Sequence, residues 1–245
     1  PNWKGMDSYQ GDVIHAANFG QVEQYDGKRV LIVGGANSGI DVANHLVRRN
    51  RYASLTVSMR NGTHLMPTYI GGVPAQITGP LMAKLPVFLQ DLSVKMISQL
   101  CFGNLQKYGV KTPVPGVASR LIASGIAPGF DGGFVTALKK EQLTVVPEIE
   151  ELSGTDVFFK NGEQGRFDHI ICATGYHTGL EAILPKECIE ENDRYCDAPG
   201  LVIFGMVPLI QGSLYARKKE AKVLAKDLAE SLRCDERFVT RLKEA

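Results

Sequence analysis

Residues 29–39 constrain the fold more than any other stretch of the chain. Arg29 to Val33 (RVLIV) is a continuous apolar run that ends directly in Gly34-Gly35-Ala36-Asn37-Ser38-Gly39. A run without polar alternation reads as a strand buried on both faces, the condition of a parallel sheet covered on both sides. After the glycines the period changes. Ile40, Ala43, Leu46 and Val47 fall on one helical face, with Asp41, Asn44 and Arg48 on the others. Strand, glycine turn and helix in a βαβ-sized unit form the pattern that receives the pyrophosphate of a dinucleotide. Gly34 permits the sharp turn, the small Ala36 lets the backbone approach a phosphate, and Gly39 lets the helix pack close to the strand. The first helical turn offers free N–H groups and a partial positive charge. Ala36 departs from a strict GxGxxG by one methyl group.

The end of the second strand discriminates between dinucleotides, because an acidic side chain there takes a ribose 2′-hydroxyl and an arginine takes a 2′-phosphate. The second strand, Ser54 to Met59, ends at Arg60. From Val42 to Gln90 there is no Asp or Glu, whereas Arg48, Arg49, Arg51 and Arg60 all fall in that window. The pattern favours NADP(H), with Arg60 forming a fork on the 2′-phosphate. Arg48, Arg49 and Arg51 read as a solvated helix end.

Further along, residues 64–130 are rich in Pro and Gly, with helices as the only elements that periodicity places there. A helix at about 133–141 leads to a strand, Leu143 to Val146. Thr155 to Phe159 pairs with Arg166 onward through Lys160-Asn161-Gly162-Glu163, a strong hairpin signal. His169 to Ala173 is another buried strand, running into Thr174-Gly175-Tyr176. Leu201 to Phe204 is a last strand, ending at Gly205. The final helix takes Ser213 as its N-cap, with Ala221, Leu224, Ala225, Leu228 and Leu232 as its buried stripe. The expected class is α/β, built on a Rossmann-type parallel sheet.

Charge and cysteine content exclude several function classes. With 27 basic against 26 acidic residues the net charge of +1 supplies no field that would draw the molecule onto nucleic acid or an anionic membrane. The most apolar stretch, Leu81 to Phe102, is broken by Lys84, Pro86, Asp91 and Lys95, so it reads as an amphipathic helix or helix pair and not as a membrane span. Five scattered cysteines without a CxxC pair suggest reduced thiols in a cytoplasmic protein and no metal centre. A chain opening on Pro1 is expected to be part of something longer. His45 and His64 read as surface or packing residues, and His169 and His177 lack ligand-type spacing.

Three stretches carry a family resemblance: Tyr9-x-Gly11-x-x-x-His15-x-x-x-Phe19, Gly27 to Ala43 (GKRVLIVGGANSGIDVA), and Cys172 to Tyr176 (CATGY). They resemble, in order, the signature, the NADPH loop and the interdomain connector of flavin-containing monooxygenases. Phe102-Gly103-Asn104 and Lys107-Tyr108-Gly109 look most like the YUCCA-type branch. Tyr9 stands for the usual Phe, Ala16 for Ser, and Ala36 for the second Gly. Phe19, where Baeyer–Villiger relatives carry Trp, points to heteroatom oxygenation or decarboxylation.

The resemblance implies NADP(H) held by Gly34, Gly35, Ala36, Asn37, Ser38, Gly39, Asp41 and Arg60. It implies Ala173, Thr174 and Gly175 at the connector, His15 in a positioning role, and Gly205 and Gly212 on the flavin side of a turn at 205–213. It also implies an inserted-domain arrangement: a signature linker belonging to the FAD domain at 1–26, the NADP(H) domain at 27–178, and the C-terminal part of the FAD domain at 179–245. The family reaction is hydride transfer from NADPH to FAD, O2 capture as a C4a-(hydro)peroxyflavin, and oxygenation of a small N-, S- or carbonyl-containing substrate. The N-terminal FAD loop of the family has no counterpart before Gly34, so the chain alone is expected to show no NADPH oxidation. Two rivals stand beside this reading. One is an NADP-binding regulatory module without catalysis. The other is a short-chain dehydrogenase, through Gly35-x-x-x-Gly39-Ile40 and Tyr215-x-x-x-Lys219, although Asp41 stands where its third Gly belongs.

Overall fold

The computed structural model describes residues 1–177, 179–184, 189–190, 194–195, 204 and 213–243. The chain divides into a first unit of 1–77 with 85–177 and a second of 78–84 with 178–245.

The strands in chain order are β1 (Asp12–His15), β2 (Arg29–Val33), β3 (Ser54–Ser58), β4 (Leu65–Pro67), β5 (Tyr69–Ile70), β6 (Val73–Pro74), β7 (Gly129–Asp131), β8 (Thr144–Val146), β9 (Ile149–Ser153), β10 (Asp156–Phe159), β11 (Gln164–Arg166), β12 (His169–Cys172), β13 (Ile189–Glu190) and β14 (Arg194–Tyr195). The α-helices are α1 (Asn37–Arg49), α2 (Ala75–Met82), α3 (Val87–Phe102), α4 (Val117–Ser124), α5 (Phe134–Lys139) and α6 (Ser213–Lys243).

A five-stranded parallel sheet in the order β1-β12-β2-β3-β8 organises the first unit. Its faces separate along β2. Val30 and Ile32 pack with Ile40, Ala43 and Leu46 of α1 and with Phe134 and Leu138 of α5. Leu31 packs instead with Ile149, Leu152, Val157 and Phe159 of the antiparallel sheet β11-β10-β9. Both faces are covered at β2, which is why its sequence is apolar without alternation. The hairpin turn at Lys160–Glu163 joins β10 to β11 as expected. The α/β class with a Rossmann-type parallel sheet is what the structure shows.

Several elements differ from the sequence reading. Within the segment 1–26, β1 is an edge strand of this sheet, paired in register from Asp12↔His169 to His15↔Cys172, a strand the sequence reading did not place. A four-residue edge strand with one half-buried face carries too short a pattern to be read from periodicity. Asn44, placed off the apolar face of α1, is only 3% exposed. Its Nδ2 donates to the Phe130 carbonyl (2.8 Å), and its Oδ1 accepts from the Gly132 (2.9 Å) and Phe134 (3.1 Å) N–H groups. It pins the loop between β7 and α5 onto α1.

Arg49 is not merely solvated: its guanidinium grips Asp26 twice (3.0 and 2.8 Å) and lies 3.2 Å from Glu23. The middle region adds a parallel pair, β4 with β7, to the expected helices. The stretch Leu81 to Phe102 is a helix pair broken at Pro86. Outward-facing Phe88, Leu92, Met96 and Leu100 leave α3 with an exposed apolar ridge.

In the second unit α6 begins at Ser213, so that residue is the first of the helix and not its cap. The expected stripe is not buried: Ala221, Ala225 and Leu228 are exposed and Leu224 is half-buried. A stripe is buried only where another element lies on it, and none covers these positions among the described residues. The side chain of Leu232, the strand read at Leu201 to Phe204 apart from Phe204 itself, and Gly205 and Gly212 lie outside the described residues. So does Thr178, at the expected domain boundary.

Candidate functional site

Parallel α/β sheets place ligands beyond the carboxyl ends of their strands, where the strand order reverses. Here β2 is that point, since β3 follows on one side and β12 returns on the other. A crevice of about 980 Å3 opens there. It gathers His15, Gly34, Gly35, Ala36, Arg60, Ala173, Thr174 and Gly175 from the ends of β1, β2, β3 and β12.

Two glycines fix the shape of the loop. Gly34 has φ of 120°, and a Cβ on it would fall 2.3 Å from the Ala173 carbonyl oxygen. A Cβ on Gly39 would fall 1.9 Å from the Gly34 carbonyl oxygen. Both clashes are with backbone, so neither site takes a side chain without moving the turn or the helix. Gly39 is buried against β2 and contributes close packing instead of crevice surface. Ala36 is the N-cap residue of α1 and supplies no side-chain hydrogen bond, so the N–H groups of the first turn are left for a ligand. Asn37 and Ser38 form that first turn, and Asp41 is exposed further along the helix; none of the three lines the crevice.

The signature residues tie the sheet together. Tyr9 donates its hydroxyl to the Phe167 carbonyl (2.7 Å), and burial pushes its phenol up to about 12. Phe19 stacks on Tyr25 at 4.9 Å, and the Tyr25 hydroxyl donates to the Phe19 carbonyl. His15 accepts from the Ala17 N–H at Nδ1 (3.2 Å) and donates from Nε2 to the Gly175 carbonyl (2.8 Å), with the Tyr176 ring edge-on at 4.8 Å. Both ring nitrogens are thereby engaged, and the Nε2 bond holds residue 175 near the end of β1. Between β2 and β12, Asp168 takes a bidentate hold from Arg29 (2.6 and 3.2 Å) and accepts its backbone N–H. The Arg29 guanidinium holds the carboxyl down at about 2.

The charged rim contains two residues that sequence reasoning missed. Arg60 is 73% exposed, with Nη1 4.0 Å from Glu148 Oε1, and the other oxygen of Glu148 is 2.6 Å from Lys160 Nζ. Glu148 follows β8 and reaches Arg60 because β8 lies beside β3, a neighbour relation absent from the linear spacing. Arg120, half-buried on α4, lines the same crevice and has no ion pair among the described residues. The acid-free window around Arg60 was visible in the sequence; Arg120, sixty residues later in an unplaced region, was not. Of the rival dehydrogenase pair, Lys219 Nζ lies over the Tyr215 ring at 4.8 Å on α6. Among the described residues no cluster of His, Cys, Asp or Glu could hold a metal ion, and no helix is long and apolar enough to cross a membrane.

This architecture recurs in solved structures. A flavin-containing monooxygenase from Stenotrophomonas maltophilia superposes with a TM-score of 0.55 over 92% of this chain and 58% of its own, at 16% identity. Cyclohexanone monooxygenase in its ε-caprolactone-bound form gives 0.55 over 80% of this chain and 49% of its own, also at 16% identity. Those likenesses speak for the fold. In sequence, a probable indole-3-pyruvate monooxygenase of Arabidopsis thaliana, YUCCA8, is 32% identical over 181 residues, 74% of this chain and 42% of that protein. The chain thus spans less than half the length of that relative. The model of the family described as flavin-binding monooxygenase-like matches residues 1–183. The chain belongs to the flavin-binding monooxygenase-like family.

Proposed function

We propose that this chain is the NADPH-binding portion of a flavin-dependent monooxygenase that oxygenates a small organic molecule with O2. One observation carries the reading: Gly34, Gly35 and Ala36, the last leading uncapped into α1, and two arginines border a single crevice at the switch point of the sheet. The donor set fits a dinucleotide. First-turn N–H groups of Asn37, Ser38 and Gly39 take the pyrophosphate, while Arg60 and Arg120 take the 2′-phosphate. Bound nicotinamide would supply a hydride donor, and FAD, which the family brings into the reading, would supply oxygen chemistry. The chain's own work is to bind and orient. His15 holds the Ala173–Gly175 connector at the crevice wall, and Asp41 remains a solvent-side residue of the nucleotide helix. In this reading 27–178 is the inserted NADP(H) domain, 1–26 joins it through β1, and 179–245 belongs to a flavin domain. The site of action is cytoplasmic.

Trp3, the only tryptophan, lines the crevice, so its fluorescence reports occupancy. NADPH should quench it saturably in the wild type, and Gly39→Val, which forces α1 off Gly34, should abolish the quenching while the far-ultraviolet circular dichroism is kept. Unchanged quenching in Gly39→Val would remove the nucleotide from this loop.

A further inference from the structure

A second cavity of about 540 Å3 lies in the first unit between α3 and the segment 103–117, and it shares no lining residue with the nucleotide crevice. Its inner wall is apolar and firmly packed, with Leu65, Val94, Val110 and Val117 all buried. Toward solvent the rim mixes apolar side chains, Leu92 half exposed and Val114 95% exposed, with the exposed polar side chains of Lys95, Gln99, Asn104, Gln106 and Thr112. The size is that of a small-molecule site, and such sites combine an apolar lining with a few polar groups that fix orientation.

The polar groups of this one are unevenly committed. Asp91 faces the cavity but turns its carboxylate to α4, where Oδ1 accepts from the Ala118 (2.6 Å) and Ser119 (3.3 Å) N–H groups and Oδ2 accepts from the Ser119 hydroxyl (2.5 Å). Its charge is offset by a helix N-terminus and its lone pairs are occupied. His64 donates from Nε2 to the Pro115 carbonyl (3.0 Å), which leaves Nδ1 as an acceptor, and burial holds the imidazole below its ordinary value. Lys95, one helical turn from Asp91, also lines the cavity and makes no ion pair among the described residues. Among the charged side chains that line this ligand-sized space, the one without a partner among the described residues is therefore the cation of Lys95, exposed at its rim.

We propose that this cavity is a second binding site, separate from the nucleotide crevice, for an amphipathic carboxylate whose apolar body packs on Leu65, Val94, Val110 and Val117 while its carboxylate pairs with Lys95. An organic cation is disfavoured because Lys95 repels it and Asp91 is already taken. An uncharged molecule of equal apolar area gains the walls and forgoes the ion pair.

Calorimetric titration of the chain with octanoate tests this. One octanoate should bind per chain, and Lys95→Met, which keeps the apolar stem, should weaken it about two- to fivefold, the value of an ion pair at an exposed lysine. Octan-1-ol should bind more weakly and ignore Lys95→Met, octylamine should not bind, and Ser98→Phe, placed to fill the cavity, should remove octanoate binding. Quenching of Trp3 by NADPH should be the same in both variants, which separates a failure here from misfolding or from failure of the nucleotide reading. The proposal is overturned by absent or non-saturating octanoate binding, by affinity that Lys95→Met leaves unchanged, by octan-1-ol or octylamine binding as tightly as octanoate, or by displacement of octanoate by NADPH.

Discussion

Asn44 offers the sharpest test of how α1 is held. In Asn44→Ala three backbone groups lose their partner: the Phe130 carbonyl and the Gly132 and Phe134 N–H groups. The three do not cost the same. Gly132 is exposed, so water takes its N–H; Phe130 is half-buried and partly rehydrated; Phe134 is fully buried and its N–H has no other recourse. An unsatisfied buried group costs about 1–3 kcal/mol, which with a full penalty at Phe134, a partial one at Phe130 and a small cavity gives a loss of about 3 kcal/mol. For a unit of this size that corresponds to a fall in Tm of roughly 6–12 °C. Differential scanning calorimetry reads it directly. Asn44→Asp should recover part of the loss, because a carboxylate still accepts from Phe134, but it cannot donate to Phe130. A fall of less than about 2 °C for Asn44→Ala would refute the argument that this side chain substitutes for a buried backbone ladder.

Other expectations follow from single contacts. The Tyr52 hydroxyl is buried without a hydrogen-bond partner among the described residues, so Tyr52→Phe should raise stability by about 1 kcal/mol in a urea titration, and a loss would show that a partner exists. Glu148 lies 4.0 Å from Arg60 and competes with an incoming phosphate; Glu148→Gln should tighten NADPH binding about fivefold at low salt and less at high salt, while weaker binding would place Glu148 on the ribose instead. Asp168 has a folded value of about 2 against an ordinary 3.8, so its contribution is complete above the ordinary value and lost as pH falls through about 2. The stability gap between wild type and Asp168→Asn should therefore close between roughly pH 4 and pH 2, and a gap that persists at pH 2 would mean the Arg29 pair is not its source.

What the sequence made legible was local. Strands β2 and β12 and helix α1 could be read because burial on both sheet faces leaves an unbroken apolar run, and because the glycine loop switches the period within a few residues. The shape of the loop followed from residue type, and Gly34 and Gly39 prove to be glycines that backbone contact forbids replacing. Three things were not legible. The edge strand β1 has too few residues for a pattern. Asn44 sits off the apolar stripe of α1 because its neighbours there are backbone groups of another loop, and a helical wheel counts only side chains. Arg120 and Glu148 reach the crevice through the placing of α4 and the adjacency of β3 and β8, which are relations between distant segments. The glycine loop could thus be found by inspection, whereas the charges at the crevice rim required the fold. Sequence also overstated α6, whose apolar stripe is exposed among the described residues.

The central claim is that Arg60 and Arg120 make this crevice select a 2′-phosphate. Titrating NADPH and NADH against the fluorescence of Trp3, in wild type, Arg60→Ala and Arg120→Ala, measures it most directly. Tighter binding of NADPH by the wild type is predicted, with each substitution lowering the preference about tenfold to a hundredfold, the value of a charged hydrogen bond of about 1.5–3 kcal/mol, and leaving NADH binding unchanged. Equal affinity of the wild type for the two nucleotides, or a preference that survives both substitutions, would contradict it.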